Sequence, residues 1–255
     1  MMNNILDLPG SGERRYLQIA KNLAGHIDSG TYPMGTKLPP ERELAASLEV
    51  SRTTVREALL ALELMRYVEI RLGSGVFVLP KSDRQSSEAE TVLADEVGPF
   101  EIVEMRRVLE GGVAAKAAER ISDSELDRLT QCHEQMASCV DDIPGFDRAD
   151  REFHALIAEA SGNSLMERYV RELWQMRGGA LWPRWYDQTR SRANRLQSID
   201  DHQRILTALR RRLPDVAGTA MRAHIDILAD RFFELDLDPD EDVHNANPIK
   251  KDNRQ

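Results

Sequence analysis

Asp150 and His154 stand four residues apart in ADREFHALIAEASGNS, residues 149–164, where apolar residues recur at helical spacing. That interval puts a carboxylate and an imidazole one turn apart on one helical face. Two more histidines lie in helical patterns with apolar neighbours on their own side of the wheel. His202 has Ile199, Ile205, Leu206 and Leu209; His224 has Ala217, Ala220, Met221, Ile227 and Leu228. Both therefore point inward. One acid and three imidazoles from three helices can converge inside a bundle. A shared divalent cation satisfies all four, whereas an unpaired buried carboxylate is costly. The donor set suits one divalent ion per chain, Zn²⁺ first, with Ni²⁺, Mn²⁺ and Fe²⁺ as alternatives. His26, His133 and His244 fit no such pattern and are expected in solvent.

A second constellation lies upstream in LPPERELAASLEVSRTTVREALLALELMRYVEIRLGSGVFV, residues 38–78. Ser51 is placed to cap the helix that follows. Arg52, Thr53, Thr54 and Arg56 occupy its first turns, the part of a recognition helix that faces base edges. Arginine reads guanine bidentately, and threonine hydroxyls suit phosphates or bases. Arg42, from the preceding short helix, can reach the same groove. Arg71 and the glycine-flanked tip Gly73–Ser74–Gly75 would let a hairpin approach the DNA backbone or minor groove.

The elements that must position these residues follow from the spacing. A helical period starts at Tyr16, Ile19, Leu23 and Ile27 and stops at SGTYPMG. ERELAASL is a short helix, EVS a three-residue break, and RTTVREALLALELMR a longer helix. VEIRLGSGVFVLP has β-rich flanks around two glycines and reads as a hairpin. The order is that of a winged helix-turn-helix over residues 14–80, after a flexible lead at 1–13. Residues 81–98, polar and poor in aromatics, read as linker. From Pro99 to Leu235 only helical periodicity is present. Breaks near Ser122, 141–145, 161–163, 187–191 and Pro214 separate about six helices of an all-α antiparallel bundle. The charged tail, 236–255, reads as disordered. The fold class is thus mainly α.

Charge distribution agrees with a local DNA surface. The net charge is −9, but residues 11–80 carry nine Lys or Arg against eight Asp or Glu. A near-neutral N-terminal part on an acidic body suits a small, local DNA-contact surface better than a general polyanion binder. No signal peptide or apolar membrane span is visible, so a cytoplasmic protein is expected, with Cys132 and Cys139 reduced.

Residues 14–78, through PPERELA, SRTTVREAL and RLGSGVFV, resemble the GntR-type winged helix. The helical part resembles the FCD ligand-binding domain of the FadR-like subfamily. GPFEIVEMRRVLE, DREFHALIAEASGNS and DHQRILTAL are most similar to the hexuronate-operon repressors of that family. The resemblance implies operator contacts at the positions of Arg42, Arg52, Thr53, Arg56 and Gly73. It also implies a metal at the Asp-x3-His…His…His set formed by Asp150, His154, His202 and His224. Arg106 matches an arginine that FCD proteins direct into the ligand cavity, where it can clamp a carboxylate; otherwise it forms a surface ion pair with Glu110. Asn163 either hydrogen-bonds the ligand or caps a helix. The aromatics Trp182, Trp185 and Tyr186 suit core packing, or stacking on a sugar.

The expected function is a transcriptional repressor that binds a short inverted repeat as a homodimer. Its effector would be a small carboxylate, a hexuronate or related sugar acid, with lactate or pyruvate as the alternative. An enzyme is not expected. REFH is not HExxH, because Glu152 lies about 200° around the wheel from Asp150 and faces away. No nucleophile motif or phosphate loop is present. A metal-dependent hydrolase fused to a DNA-binding module is the remote alternative.

Overall fold

The computed structural model describes residues 14–83, 89, 92–93 and 96–233, which fall into two compact units divided between Ala94 and Asp95. The expectations for 1–13, for the 236–255 tail and for much of the linker lie outside the described residues. Among the described residues no helix is long and apolar enough to cross a membrane.

The first unit is built as its periodicity predicts. α1 (Arg15–Asp28) buries Tyr16, Ile19, Leu23 and Ile27. α2 (Glu41–Leu48) ends at Glu49, whose left-handed φ of 53° turns the chain sharply toward the next helix. Ser51 caps α3 (Arg52–Leu64), its Oγ accepting the Thr54 N–H at 3.1 Å. The α3 core face carries Val55, Ala58, Leu59 and Leu62. β1 (Val68–Arg71) then pairs antiparallel with β2 (Gly75–Val78), Val68 opposite Val78 and Arg71 opposite Gly75. The wing is the expected two-stranded sheet, joined by an isolated antiparallel bridge between Lys37 and Phe77. The loop before α2 bonds to the other edge of β2, Leu38 N–H to Val76 O at 2.8 Å and Gly35 N–H to Val78 O at 2.9 Å.

One DNA-facing assignment is corrected here. Arg56 was expected at the groove, but its side chain is 2% exposed and its Nε donates to both oxygens of Glu41, which is 1% exposed. Position 56 lies one turn along α3 from Arg52, on the side that meets α2. The pair ties α2 to α3 and leaves Arg56 unable to reach a base edge.

The second unit contains seven helices among the described residues: α4 (Pro99–Arg120), α5 (Asp123–Ser138), α6 (Ile143–Ala160), α7 (Ser164–Met176), α8 (Leu181–Tyr186), α9 (Arg192–Arg210) and α10 (Pro214–Phe233). About six were expected. The additional break is at 177–180, where Gly178 and Gly179 separate α7 from α8. Ser122 and Glu125 form a reciprocal capping box that starts α5, and Ser191 caps α9. α4 packs along α10 and also meets α6, α7 and α9, so it is central. The α4–α10 crossing is close: a Cβ on Gly218 would lie 2.8 Å from the Gly111 carbonyl oxygen, a contact only glycine permits.

Removing one partner of a buried ion pair leaves a charge without compensation. Glu41→Ala should therefore lower the stability of the first unit by about 3–5 kcal/mol, read from urea unfolding. A loss below about 1 kcal/mol would show that Arg56 escapes to solvent and that the pair does not lock α2 to α3.

Candidate functional site

The four expected ligands converge in the second unit. Asp150 and His154 come from α6, His202 from α9 and His224 from α10, and one ligand atom from each lies within 4.8 Å of all the others. His202 Nε2 is 3.2 Å from Asp150 Oδ1 and 3.2 Å from His154 Nε2. His154 Nε2 is 3.6 Å from the same Asp150 oxygen. Asp150 is 8% exposed, His154 1% and His202 fully buried. Packing holds the rings. Phe153 meets His202 edge-on at 4.6 Å between centroids, and Trp174 lies 4.9 Å from His154.

The far nitrogens of the imidazoles are also fixed. His202 Nδ1 donates to the Ser198 carbonyl at 2.7 Å. A carbonyl only accepts, so the neutral ring presents a lone pair at Nε2. His154 Nδ1 donates to Glu110 Oε2 on α4. His224 Nδ1 lies 3.8 Å from Asp201 Oδ2, too long for a hydrogen bond but close enough for electrostatic attraction. Acceptors behind metal-facing imidazoles fix ring orientation and raise ligand basicity, the usual support of a metal site.

Electrostatics prepare the same site for a cation. Burial alone would raise the Asp150 carboxyl, yet His154 and His202 hold it well below the ordinary carboxylate range. Burial lowers His202. Burial and the neighbouring His202 and His154 push His224 down to about 3, against the pull of Asp201. His154 alone goes up, because Glu110 and Asp150 outweigh its burial. Without a cation the proton on His154 partly plays the cation's part. Asp150 Oδ1, His202 Nε2 and, once its proton is displaced, His154 Nε2 lie 3.2–3.6 Å apart and face a common point. Together with His224 they could hold a metal ion.

In the sequence Glu110 reads only as a surface partner of Arg106. The pair exists, Arg106 Nε donating at 2.7 Å, but it is buried, with both side chains 2% exposed. Arg106 and His154 hold Glu110 below the ordinary range despite its burial. Arg106 also stacks on Trp174, 4.3 Å from the ring centre. It borders a void of about 20 Å³ beside the cluster, with Asp150, Arg177, His224 and Arg231 among the other lining residues. That is room for one water. Asn163 is not brought to this site. Its Oδ1 accepts the Leu165 and Met166 N–H groups and caps α7, so of its two expected roles the structure gives the cap. His133 is half-buried against the Ile199 carbonyl rather than solvated. Arg177 has no signal beyond its charge, since it belongs to no motif; Asp201 opens DHQRILTAL directly before His202, and that adjacency is its available signal.

On α3, Arg52 is 48% exposed. The Thr53 and Thr54 hydroxyls lie 2.6 and 2.7 Å from Ser51 Oγ, an arrangement that holds the first turn together. Arg42 is exposed. Arg71 is 54% exposed, stacked on Phe77 at 4.6 Å and bonded to Glu69. Gly73, with φ of 68°, makes the turn at the wing tip.

Comparison with known proteins adds a lineage to this geometry. Residues 15–78 match the family described as "Bacterial regulatory proteins, gntR family", and residues 101–227 match "FCD domain". The chain is 32% identical over 229 residues to the Uxu operon transcriptional regulator of Escherichia coli (strain K12), covering 88% of this chain and 89% of that protein. It is 32% identical over 241 residues to the Uxu operon regulator of Haemophilus influenzae, covering 92% and 90%. Over 245 residues it is 32% identical to the Exu regulon transcriptional regulator of Escherichia coli (strain K12), covering 92% and 93%.

A metal must displace the His154 proton, so affinity should fall as pH drops through the raised pKa of His154 and level off above it. Glu110→Gln removes the charge behind that ring. Above the His154 pKa the variant should bind Zn²⁺ roughly 10- to 100-fold more weakly, and the pH at which affinity falls should move down. Competitive Zn²⁺ titration across pH measures both. An unchanged profile would show that Glu110 does not support the ligand.

Proposed function

This chain belongs to the GntR family of bacterial regulatory proteins and carries an FCD domain, and from that premise we propose how its parts work together. It is a DNA-binding transcriptional regulator and not an enzyme. In our reading it is a cytoplasmic repressor that binds a short inverted repeat as a homodimer, since one helix-turn-helix reads only a half-site. Residues 14–80 serve DNA, 99–235 serve the effector, and 81–98 join them. Arg52, Thr53, Thr54 and Arg42 meet bases and phosphates, Ser51 holds the start of α3, and Arg71 and Gly73 bring the wing to the DNA backbone or minor groove.

The second unit binds one divalent ion through Asp150, His154, His202 and His224, Zn²⁺ before Ni²⁺, Mn²⁺ or Fe²⁺, and senses a small carboxylate beside it. The observation that carries this reading is the convergence of those four ligand atoms within 4.8 Å next to a void bordered by Arg106, Arg177 and Arg231. An ion with positions left open accepts carboxylate and hydroxyl oxygens, and guanidinium groups neutralise the acid's charge. A hexuronate or a related sugar acid is the effector this reading favours. The resemblance of the motifs to hexuronate-operon repressors supports it, as do the relatives named for the Uxu and Exu operons.

Arg52→Ala should weaken operator binding by about 1–3 kcal/mol while non-specific DNA loses little. Equal loss on operator and scrambled DNA would reduce Arg52 to a phosphate contact. For sensing, a hexuronate is titrated into metal-loaded protein, free and bound to operator. Coupling of about 1–3 kcal/mol is expected, with affinity for the acid lower in the DNA complex by the factor that the acid lowers DNA affinity. Equal affinity in the two states would refute regulation by this acid.

A further inference from the structure

Lys37 lies one residue before the segment that carries the DNA-reading residues and belongs to no motif. Its backbone is nevertheless fixed against the wing. Val78 N–H donates to Thr36 O at 3.0 Å and Leu38 N–H to Val76 O at 2.8 Å, and Lys37 stands opposite Phe77 in an antiparallel bridge. β1 runs along the other edge of β2, with Glu69 opposite Phe77 and Arg71 opposite Gly75. Residues directly opposite one another, and residues two apart on one strand, share a face of a sheet. Lys37, Phe77, Gly75, Glu69 and Arg71 therefore belong to one face of the wing.

Two cations cross that face from opposite edges. Lys37 starts opposite Phe77 and runs toward the hairpin tip. A Cβ on Gly75 would fall 2.2 Å from Lys37 Cε and 3.0 Å from its Cδ and Nζ, so the lysine stem fills the space where a side chain at 75 would stand. Gly75 also has a φ of 110°, which side chains other than glycine rarely adopt. Arg71 starts opposite Gly75 and runs the other way, its guanidinium over the Phe77 ring at 4.6 Å from the centre. The ring is a floor for one cation and the bare glycine a floor for the other.

Glu69 accepts the Arg71 Nε–H at 2.7 Å and fixes the orientation of its fork. It also offsets part of the Arg71 charge, so this arginine alone is a weak anchor for phosphate. A second cation on the same face changes that balance. Lysine suits the task, since its ammonium is a point charge on a flexible stem and a phosphate contact needs no base geometry. The strand that holds Lys37 runs on through Leu38 into α2, whose Glu41 is bonded to Arg56 of α3. A phosphate held at the wing is thereby kept in register with the helix that carries Arg52.

We propose that Lys37 and Arg71 form a two-cation grip on the DNA backbone, and that Gly75 is bare so that Lys37 can lie across the wing to reach it. This rests on the reading that the wing meets DNA. It adds to that interface a residue from the chain before α2, and it makes the grip independent of sequence.

The test is fluorescence anisotropy of the full chain on two labelled duplexes, one enriched from a random library for tight binding and one scrambled, from about 50 to 200 mM salt. Lys37→Met keeps the apolar stem and removes the charge. It should lower the slope of log K against log salt by about 1 and weaken both duplexes alike, roughly 5- to 10-fold at about 0.1 M salt. Lys37→Arg should keep the wild-type slope. Gly75→Ala should lower the slope as Lys37→Met does, and should lower it no further in the Lys37→Met background. An unchanged slope in Lys37→Met, with a lowered one in Arg71→Met, overturns the grip but leaves the wing at the DNA. Loss on the enriched duplex alone also overturns it, because Lys37 would then act through a base or through the placement of α2. If neither Lys37→Met nor Arg71→Met changes the slope, the reading of the wing falls and the proposal with it.

Discussion

Two carboxylates taken out of water set the terms for the whole second unit. Asp150 and Glu110 are both buried, and a buried ionised carboxylate persists only if positive charge and hydrogen-bond donors surround it. The chain meets that demand with a continuous run: Arg106 on Glu110, Glu110 on His154, His154 and His202 on Asp150, and Arg177 at the other Asp150 oxygen. Two links are local, Arg106 to Glu110 on α4 and His154 to Asp150 on α6, and the others cross between helices, so the run is complete only when the bundle has formed. α4 occupies the centre because it alone carries the pair that starts the run. The same run leaves one positive position to be filled where the imidazole nitrogens meet, which is why its chemistry points to a divalent ion.

The first unit uses the same device at smaller scale. Arg56 and Glu41 are buried together between α2 and α3, while Arg52, one turn earlier, is half exposed. In both units one arginine is committed to a buried carboxylate and a neighbour keeps donors available. Arg56 ties two helices together through Glu41, and Arg106 holds Glu110, on its own helix, in place behind His154. Breaking a buried pair is costly because desolvation has already been met, so the available partner is held in a stiff frame.

Much of this was legible from periodicity. Apolar neighbours around His202 and His224 assigned both to the inner face, and the four-residue interval aligned Asp150 with His154. The Ser51 cap, the break before α3 and the hairpin glycines gave the winged helix. What spacing did not reveal was the burial of polar side chains. Arg56 sits in the first turns of a surface-facing helix, and nothing in RTTVRE distinguishes the arginine that points at α2 from the one that points out. Arg106 and Glu110 read equally as a surface pair, because burial here comes from helices that arrive much later in sequence. Asn163 offered two roles of equal weight, and only the position of α7 decides between them. The break at Gly178–Gly179 was visible as a pair of glycines but was masked by the continuous aromatic pattern around it. Arg177 belongs to that break, outside any motif.

The close crossing at Gly218 has a consequence for geometry farther along the same helix. With the Gly111 carbonyl 2.8 Å from where a Cβ would stand, the backbones of α4 and α10 come close at this point, with Ala115 and Arg222 packed around it. His224 lies under two turns beyond that crossing on α10, and Glu110 is the residue next to Gly111 on α4. The glycine pair therefore acts as a thickness gauge between the helix that supplies a ligand and the helix that braces another. Metal–nitrogen bonds tolerate errors of only about 0.2 Å, far less than the width of a methyl group. A single added carbon at position 218 would pry the two helices apart and displace His224 from the other three residues that could hold a metal, without touching any of them.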